Sequence, residues 1–200
     1  MYNWRRMPEE LKKEVIELRK SLQHPWHGPP HYTEKFFYHI SAACYEHQPI
    51  IGERTKRMFE FENELLNALR KNSEDVSAWS ILPNHYHVLV KTTSISLTTK
   101  ALGNFHGRMS YQWNSYDNRR GRKCFHRCSD RKIRSERHKW ATINYIHHNP
   151  VHHGYVNRWQ DWPFSSAGSY LRAMGYEEAS KRWKDYPIMD YGKGWDEPNL

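Results

Sequence analysis

Apolar and polar positions along this chain fall into two rhythms, one of helices and one of strands. Leu11, Val15, Leu18 and Leu22 recur at spacings of four, three and four, which predicts a helix over residues 8–22 with Pro8 near its first turn. The run His24-Pro-Trp-His-Gly-Pro-Pro-His31 cannot continue that helix. The main domain is therefore expected to begin near residue 32, after an N-terminal helix and linker over 1–31. Residues 35–45 are aromatic and β-branched enough for a first strand. Residues 52–71 read as an amphipathic helix, with Met58, Phe61 or Glu62, Leu65, Leu66 and Leu69 on its apolar face. A strand pair is expected over 77–91, split by Pro83-Asn84, then a second helix over 95–115. Residues 123–134 resemble a strand or hairpin, and 136–149 a third helix that Pro150 stops. The order β-α-β-α-β-α without a Gly-rich phosphate loop predicts an α+β sandwich rather than a doubly wound sheet. From Trp159 onward the chain is Trp/Tyr-rich and mildly acidic, and reads as packing or lid material.

Charge changes the picture. Over 200 residues, 31 Lys and Arg oppose 22 Asp and Glu, a net charge of +9 that favours a polyanionic partner, nucleic acid first and an anionic membrane second. Mean hydropathy is −1.00 and no long apolar run occurs, so no transmembrane helix is expected. Nor does an apolar stretch follow Met1 as in a signal peptide. Cys44, Cys124 and Cys128 form no CxxC pair, which argues against a disulfide framework or zinc ribbon and fits a reducing cytoplasm. With 9 Trp, 13 Tyr and 7 Phe the chain is too aromatic to be disordered. With 14 His, no single histidine is informative by itself.

Three local patterns carry candidate chemistry. His85 and His87 are two apart in an expected strand, so they share a face and can chelate a divalent ion if a third ligand joins them. On spacing alone, two satisfied histidines in a His-rich strand is the plainer reading. Tyr145 and Asn149 are four apart, stacked on one helical face, and Pro150 is expected to bias Asn149 out of the α region. They offer a phenol and a carbonyl oxygen suited to a hard ion; a helix end with a packed aromatic and an Asn cap is the plainer reading. Between Arg119 and Lys139, ten basic side chains face only Asp130 and Glu136, interleaved with Phe125, His126 and Trp140. That mixture suits phosphates and unpaired bases.

Order and spacing join the three. Pro83-Asn-His-Tyr-His-Val-Leu-Val90, followed by Tyr145-Ile-His-His-Asn-Pro-Val151 and Gly154-Tyr-Val156, resembles a single-tyrosine HUH transposase, in particular the REP-associated tyrosine transposases. Phe125 to Arg134, with Glu136, His138 and Trp159-Gln-Asp-Trp-Pro-Phe-Ser-Ser166, agrees with it. The likeness spans roughly 35–170, which sets a transposase domain at 32–170 and a tail at 171–200. It implies an HUH nuclease fold, a ferredoxin-like antiparallel sheet backed by two helices, with the histidines on a central strand.

By the same resemblance His85, His87 and Asn149 are ligands of Mg²⁺ or Mn²⁺. Tyr145 is the nucleophile that cleaves single-stranded or hairpin DNA, leaving a 5′-phosphotyrosine and a free 3′-OH. Arg119, Arg120, Arg122, Lys123, Arg127, Arg131, Lys132, Arg134 and His148 are expected DNA contacts. His147 and His148 stand where the family commonly has apolar or aromatic residues, and offer phosphate contacts or a proton relay. A monomer is expected, with a homodimer as the alternative, acting in the cytoplasm at the nucleoid. The competing readings are a catalytically retired DNA-binding regulator of the same fold and a hydrolytic nuclease in which Tyr145 only packs.

Overall fold

The computed structural model describes residues 36–189 and Tyr191, together with Pro8, Glu10, Lys13, Glu14 and Glu17. The chain divides into two compact units, Met1–Tyr32 and Thr33–Leu200. In the first, Glu10, Lys13, Glu14 and Glu17 are helical and exposed. Their spacing is that of one polar helical face. The apolar stripe expected at Leu11, Val15, Leu18 and Leu22 lies outside the described residues.

The second unit is built on four strands, β1 (Phe36–Ala43), β2 (Asp75–Ile81), β3 (His85–Thr92) and β4 (Ser129–Lys132). They pair antiparallel in the order β2-β3-β1-β4. Helix α1 (Thr55–Asn72) joins β1 to β2, and α2 (Ile95–Tyr116) joins β3 to β4. This β-α-β-β-α-β order is the ferredoxin-like arrangement. Three helices follow: α3 (Glu136–His152), α4 (Ala167–Met174) and α5 (Tyr176–Asp185). Helix α4 runs through position 170/171, where the sequence places the start of the tail.

Side-chain alternation assigns the helices to faces. Tyr38, Ile40 and Ala42 of β1 and Tyr86, Val88 and Val90 of β3 pack with Phe61 and Leu65 of α1 and Leu102 and Phe105 of α2. The opposite face places Ala78 and Leu89 against Ile143, Tyr145 and Ile146 of α3. Strand β3 is therefore covered on both sides, which explains its near-continuous burial. Phe61 anchors the first core: its ring lies 5.2–5.9 Å from those of Tyr86, Phe105, Trp113 and Phe125. Truncating such a fully buried phenyl ring costs about 3–5 kcal/mol.

Pro150 does not stop the third helix. It leaves Ile146 O without its usual donor, but α3 continues to His152 with Pro150 inside it. Termination comes at Gly154, which takes φ 71°. Gly154 N–H donates to Val151 O at 3.0 Å and Tyr155 N–H to Pro150 O at 2.9 Å, a Schellman closure. Asn149 is accordingly helical, not turned out into the β region.

Two devices tie the periphery down. Asp117, with its carboxylate enclosed, binds Arg57 of α1 at 2.5 Å and Arg122 at 2.6 Å. Burial alone would raise its pKa, but hydrogen bonds and charge from the two guanidinium groups hold it at about 2. Residues 164–166 then lie along the free edge of β2. Ile81 N–H donates to Phe164 O at 2.9 Å and Ser166 N–H to Trp79 O at 3.0 Å. No helix among the described residues is long and apolar enough to cross a membrane.

Candidate active site

Strand β3 carries His85 and His87 onto the face that α3 covers, and both are buried. Their ring centroids are 5.1 Å apart at 77°. The preceding turn is pinned by Gly52, whose N–H donates to Pro83 O at 2.9 Å. A methyl group on Gly52 would collide with the Pro83 ring. From α3, one helical turn apart, come Tyr145 and Asn149. Asn149 is buried and its Oδ1 stands 3.0 Å from His85 Nε2. The Tyr145 ring meets that of His87 edge-on at 5.2 Å. The four side chains chosen from the sequence are thus brought into one cluster by two rigid elements.

The contact between His85 and Asn149 has a chemical peculiarity. His85 Nδ1 lies 2.8 Å from Asn84 Oδ1, so both ring nitrogens of His85 face amide oxygens that can only accept. A neutral ring has one proton for the two, so one of these contacts sets a lone pair against a lone pair. A shared proton or a cation resolves such a contact. Two donors each about 2.1 Å from one ion stand roughly 3 Å apart at a right angle, so the spacing fits a divalent metal. Two imidazoles on one ion have centroids roughly 4.5–5.2 Å apart, which the histidine pair also meets. Among the described residues no trio of His, Cys, Asp or Glu is placed to hold a metal. The third donor here is an amide oxygen, which suits a hard ion.

Residues without a spacing signal complete the cluster. His39 of β1 places Nε2 3.1 Å from His87 Nδ1, and its ring lies 5.8 Å from that of Tyr145. His153, just beyond α3, packs its ring 4.9 Å from His85. Tyr191 meets the Tyr145 ring edge-on at 5.5 Å, and its hydroxyl lies 2.7 Å from Thr142 Oγ1 and 3.1 Å from His138 Nε2. His39 and Asn84 had only cross-strand register and sequence adjacency to betray them. Tyr191 is distant in sequence and had nothing.

The basic side chains divide by environment. Arg119, Arg120, Lys123, Arg127, Arg131 and Arg134 are exposed. Arg122 is not available in the same way: its side chain is 14% exposed and paired with Asp117. Lys132 is half-buried with Nζ 3.2 Å from the centre of the Phe36 ring, and His148 is half-buried beside Trp183. Burial lowers the pKa of His148, with His152 adding to the effect. His147 is 2% exposed, hydrogen-bonded to Ser166 Oγ at 2.9 Å and stacked on Trp159. Burial pushes it down to about 3, so it is a neutral core histidine and not a phosphate contact. The three cysteines are free thiols, and burial pushes Cys44 up to about 12.

Arg131 sits opposite His39 in the β1–β4 register and so shares the face that holds Tyr145. On the other side of the sheet, a groove of about 810 Å³ runs between α2 and residues 122–130. Lys100, Lys123 and Arg127 line it, and Gly103 and Gly107 leave the helix floor bare.

The four-stranded antiparallel sheet packed with helices is shared with a solved structure. The particular likeness is to a solved REP-associated tyrosine transposase bound to a REP hairpin, with a TM-score of 0.56 over 74% of this chain and 87% of that one, at 19% identity. In sequence, the chain is similar to a Haemophilus influenzae protein provisionally described as a REP-associated tyrosine transposase. The two are 25% identical over 150 residues, which cover 64% of this chain and 82% of the relative. No family model matches the chain.

Proposed function

We propose that the protein is a metal-dependent single-stranded DNA transesterase, a transposase that binds hairpin DNA and cleaves and rejoins it through Tyr145. The observation that carries this reading is the 3.0 Å approach of Asn149 Oδ1 to His85 Nε2, with Tyr145 one turn away against His87. It gathers a candidate donor set and a candidate nucleophile from distant positions in the chain.

Tyr145 Oη gives up its proton to solvent as it attacks the phosphorus, the deoxyribose 3′-oxygen leaves with the electrons of the broken P–O bond and takes a proton from solvent to become a 3′-OH, and the 5′-phosphate stays on the tyrosine. Because the phosphoester energy is retained, a second 3′-OH can displace Tyr145 and join strands without ATP. His85, His87 and Asn149 would hold Mg²⁺ or Mn²⁺, which supplies positive charge to the non-bridging phosphate oxygens. The chain supplies the rest. Strand β3 and helix α3 are rigid mounts that fix nucleophile and ligands relative to each other. Arg131, at the rim of the same face, contacts a phosphate beside the cleaved bond. Arg119, Arg120, Lys123, Arg127 and Arg134, with Lys132 and His148 at the margins, contact the DNA backbone, while Arg122 serves the Asp117 ion pair.

The decisive experiment mixes the protein, Mn²⁺ or Mg²⁺ and a pool of single-stranded hairpins, and looks for a covalent adduct on a denaturing gel. A Tyr145-dependent, chelator-sensitive adduct is expected, and its sequence names the target. Cleavage without an adduct would indicate hydrolysis, and binding with neither would indicate a retired enzyme.

A further inference from the structure

We infer that His39 and Asn84 are positioning residues that decide which ring nitrogen His87 and His85 present to a divalent cation, an inference that rests on the metal reading of His85, His87 and Asn149. An imidazole binds a metal through a nitrogen that carries no proton, so the hydrogen bond at the other nitrogen decides whether the ring can serve. The two rings are held by chemically different partners.

Asn84 Oδ1, 2.8 Å from His85 Nδ1, can only accept. At 2.8 Å it is a nearer acceptor than Asn149 Oδ1, 3.0 Å from Nε2, and it holds the His85 proton on Nδ1 and the lone pair on Nε2, whether or not an ion is bound. Asn84 is itself fixed by the neighbouring loop: its Nδ2 donates to His47 O at 3.3 Å, and its own carbonyl accepts from Cys44 N–H at 2.7 Å.

At His87 the partner is His39 Nε2, 3.1 Å from Nδ1, and an imidazole nitrogen can donate or accept. The neutral pair has two arrangements. In one, His39 Nε2–H donates to His87 Nδ1, and His87 carries its proton on Nε2, where it cannot ligate. In the other, His87 Nδ1–H donates to His39 Nε2, His39 carries its proton on Nδ1, and His87 Nε2 is a lone pair. Both hold two ring protons, so the change between them needs no net exchange with solvent. A cation selects the second arrangement, and His39 is the group that must yield. Strand register makes this contact possible. Ser41 stands opposite His87 and His39 opposite Leu89, so His39 and His87 are diagonal neighbours on one face. His39 is 3% exposed, and burial at that level leaves little room for water to replace it.

The test combines ¹⁵N NMR of the full chain, metal-free and with saturating Mg²⁺, with calorimetric titration of Mn²⁺. The expected spectrum has the His85 proton on Nδ1 in both states. With Mg²⁺ bound, the His87 and His39 protons are both on Nδ1. His39→Leu and Asn84→Leu are expected to weaken Mn²⁺ binding roughly 10- to 100-fold. His39→Gln, whose amide oxygen reaches toward the place of Nε2, and Asn84→Asp restore an acceptor and return most of the affinity. A metal-free wild type with the His85 proton on Nε2 overturns the inference. So does a His39→Leu protein of native circular dichroism that binds Mn²⁺ as wild type does. If wild type binds no cation, the metal reading falls, and the His85 tautomer with its response to Asn84→Leu still decides the role of Asn84.

Discussion

Asn149 Oδ1 lies 3.0 Å from His85 Nε2, so the end of α3 touches the start of β3 through an amide oxygen and a ring nitrogen. Removing either partner should be felt in metal binding before it is felt in folding. His85→Ala, His87→Ala and Asn149→Ala are each expected to reduce Mn²⁺-dependent adduct formation at least about 100-fold, with the melting temperature changed by only a few degrees. Parallel activity and thermal-unfolding assays check this; full activity in His85→Ala would refute the ligand assignment.

Tyr145→Phe deletes one oxygen and keeps the ring that packs on His39 and His87. Adduct formation should fall to background, roughly 10⁴-fold or more, while hairpin affinity stays within about twofold. A gel comparing the two proteins on the same substrate decides it. Residual adduct would show that another nucleophile serves.

The groove between α2 and residues 122–130 offers a clean test of electrostatics. A Cβ added at Gly103 or Gly107 meets no atom within 4 Å. Replacing a glycine in a helix interior also favours the helix by up to about 1 kcal/mol. Gly107→Glu should therefore fold at least as well as wild type, yet bind hairpin DNA about tenfold more weakly. Arg127→Glu should do the same and flatten the dependence of log K on log salt. Unchanged affinity for Gly107→Glu across salt concentrations would remove this groove from the DNA path.

Acid stability should reflect two buried neutral histidines. Burial lowers His106 to about 4 and His147 to about 3, against an ordinary value of 6.5. Below pH 6.5 the unfolded chain binds protons that the folded chain refuses, so stability falls as pH drops and is complete only above that value. Each histidine contributes up to about 1.4 kcal/mol per pH unit between its folded and unfolded pKa values. Urea midpoints at pH 7.5, 6 and 5 should decline in that order, and His147→Gln should shallow the slope. A midpoint that is flat from pH 7.5 to 5 would contradict the account.

Asp117 bridges Arg57 and Arg122. Asp117→Asn should cost about 3 kcal/mol, because it leaves the Arg57 guanidinium, 6% exposed, without its second carboxylate. Chemical denaturation at neutral pH measures the loss, and the difference from wild type should shrink as pH falls from about 4 toward 2, where wild-type Asp117 itself protonates.

The strands and helices of the second unit were legible wherever a single face had to be buried. The stripe from Met58 to Leu69 and the aromatic run around Tyr38 have that character, and the paired histidines and the Tyr145–Asn149 step followed from periodicity plus resemblance. What escaped notice depended on partners far along the chain. The stretch 123–134 reads as a strand or hairpin, yet only Ser129–Lys132 forms a strand, with an isolated bridge from Phe125 to Cys44, because its place is set by Tyr38–Ser41 rather than by apolar residues of its own. Pro150 looked like a terminator because its local cost is visible and the closure at Gly154 is not. His39 is one histidine in a strand, and its role exists only once β1 and β3 are in register.

The segment Phe164–Ser166 has a consequence for how the molecule meets others of its kind. Along Trp79–Ile81 it already occupies the hydrogen-bonding groups that an incoming strand would need, so that rim of the sheet is closed to templated growth there. At the opposite rim β4 is four residues long and carries Arg131 and Lys132, a stretch too brief and too charged to recruit a neighbour. A protein with so many aromatic side chains is thereby kept from stacking its sheets edge to edge.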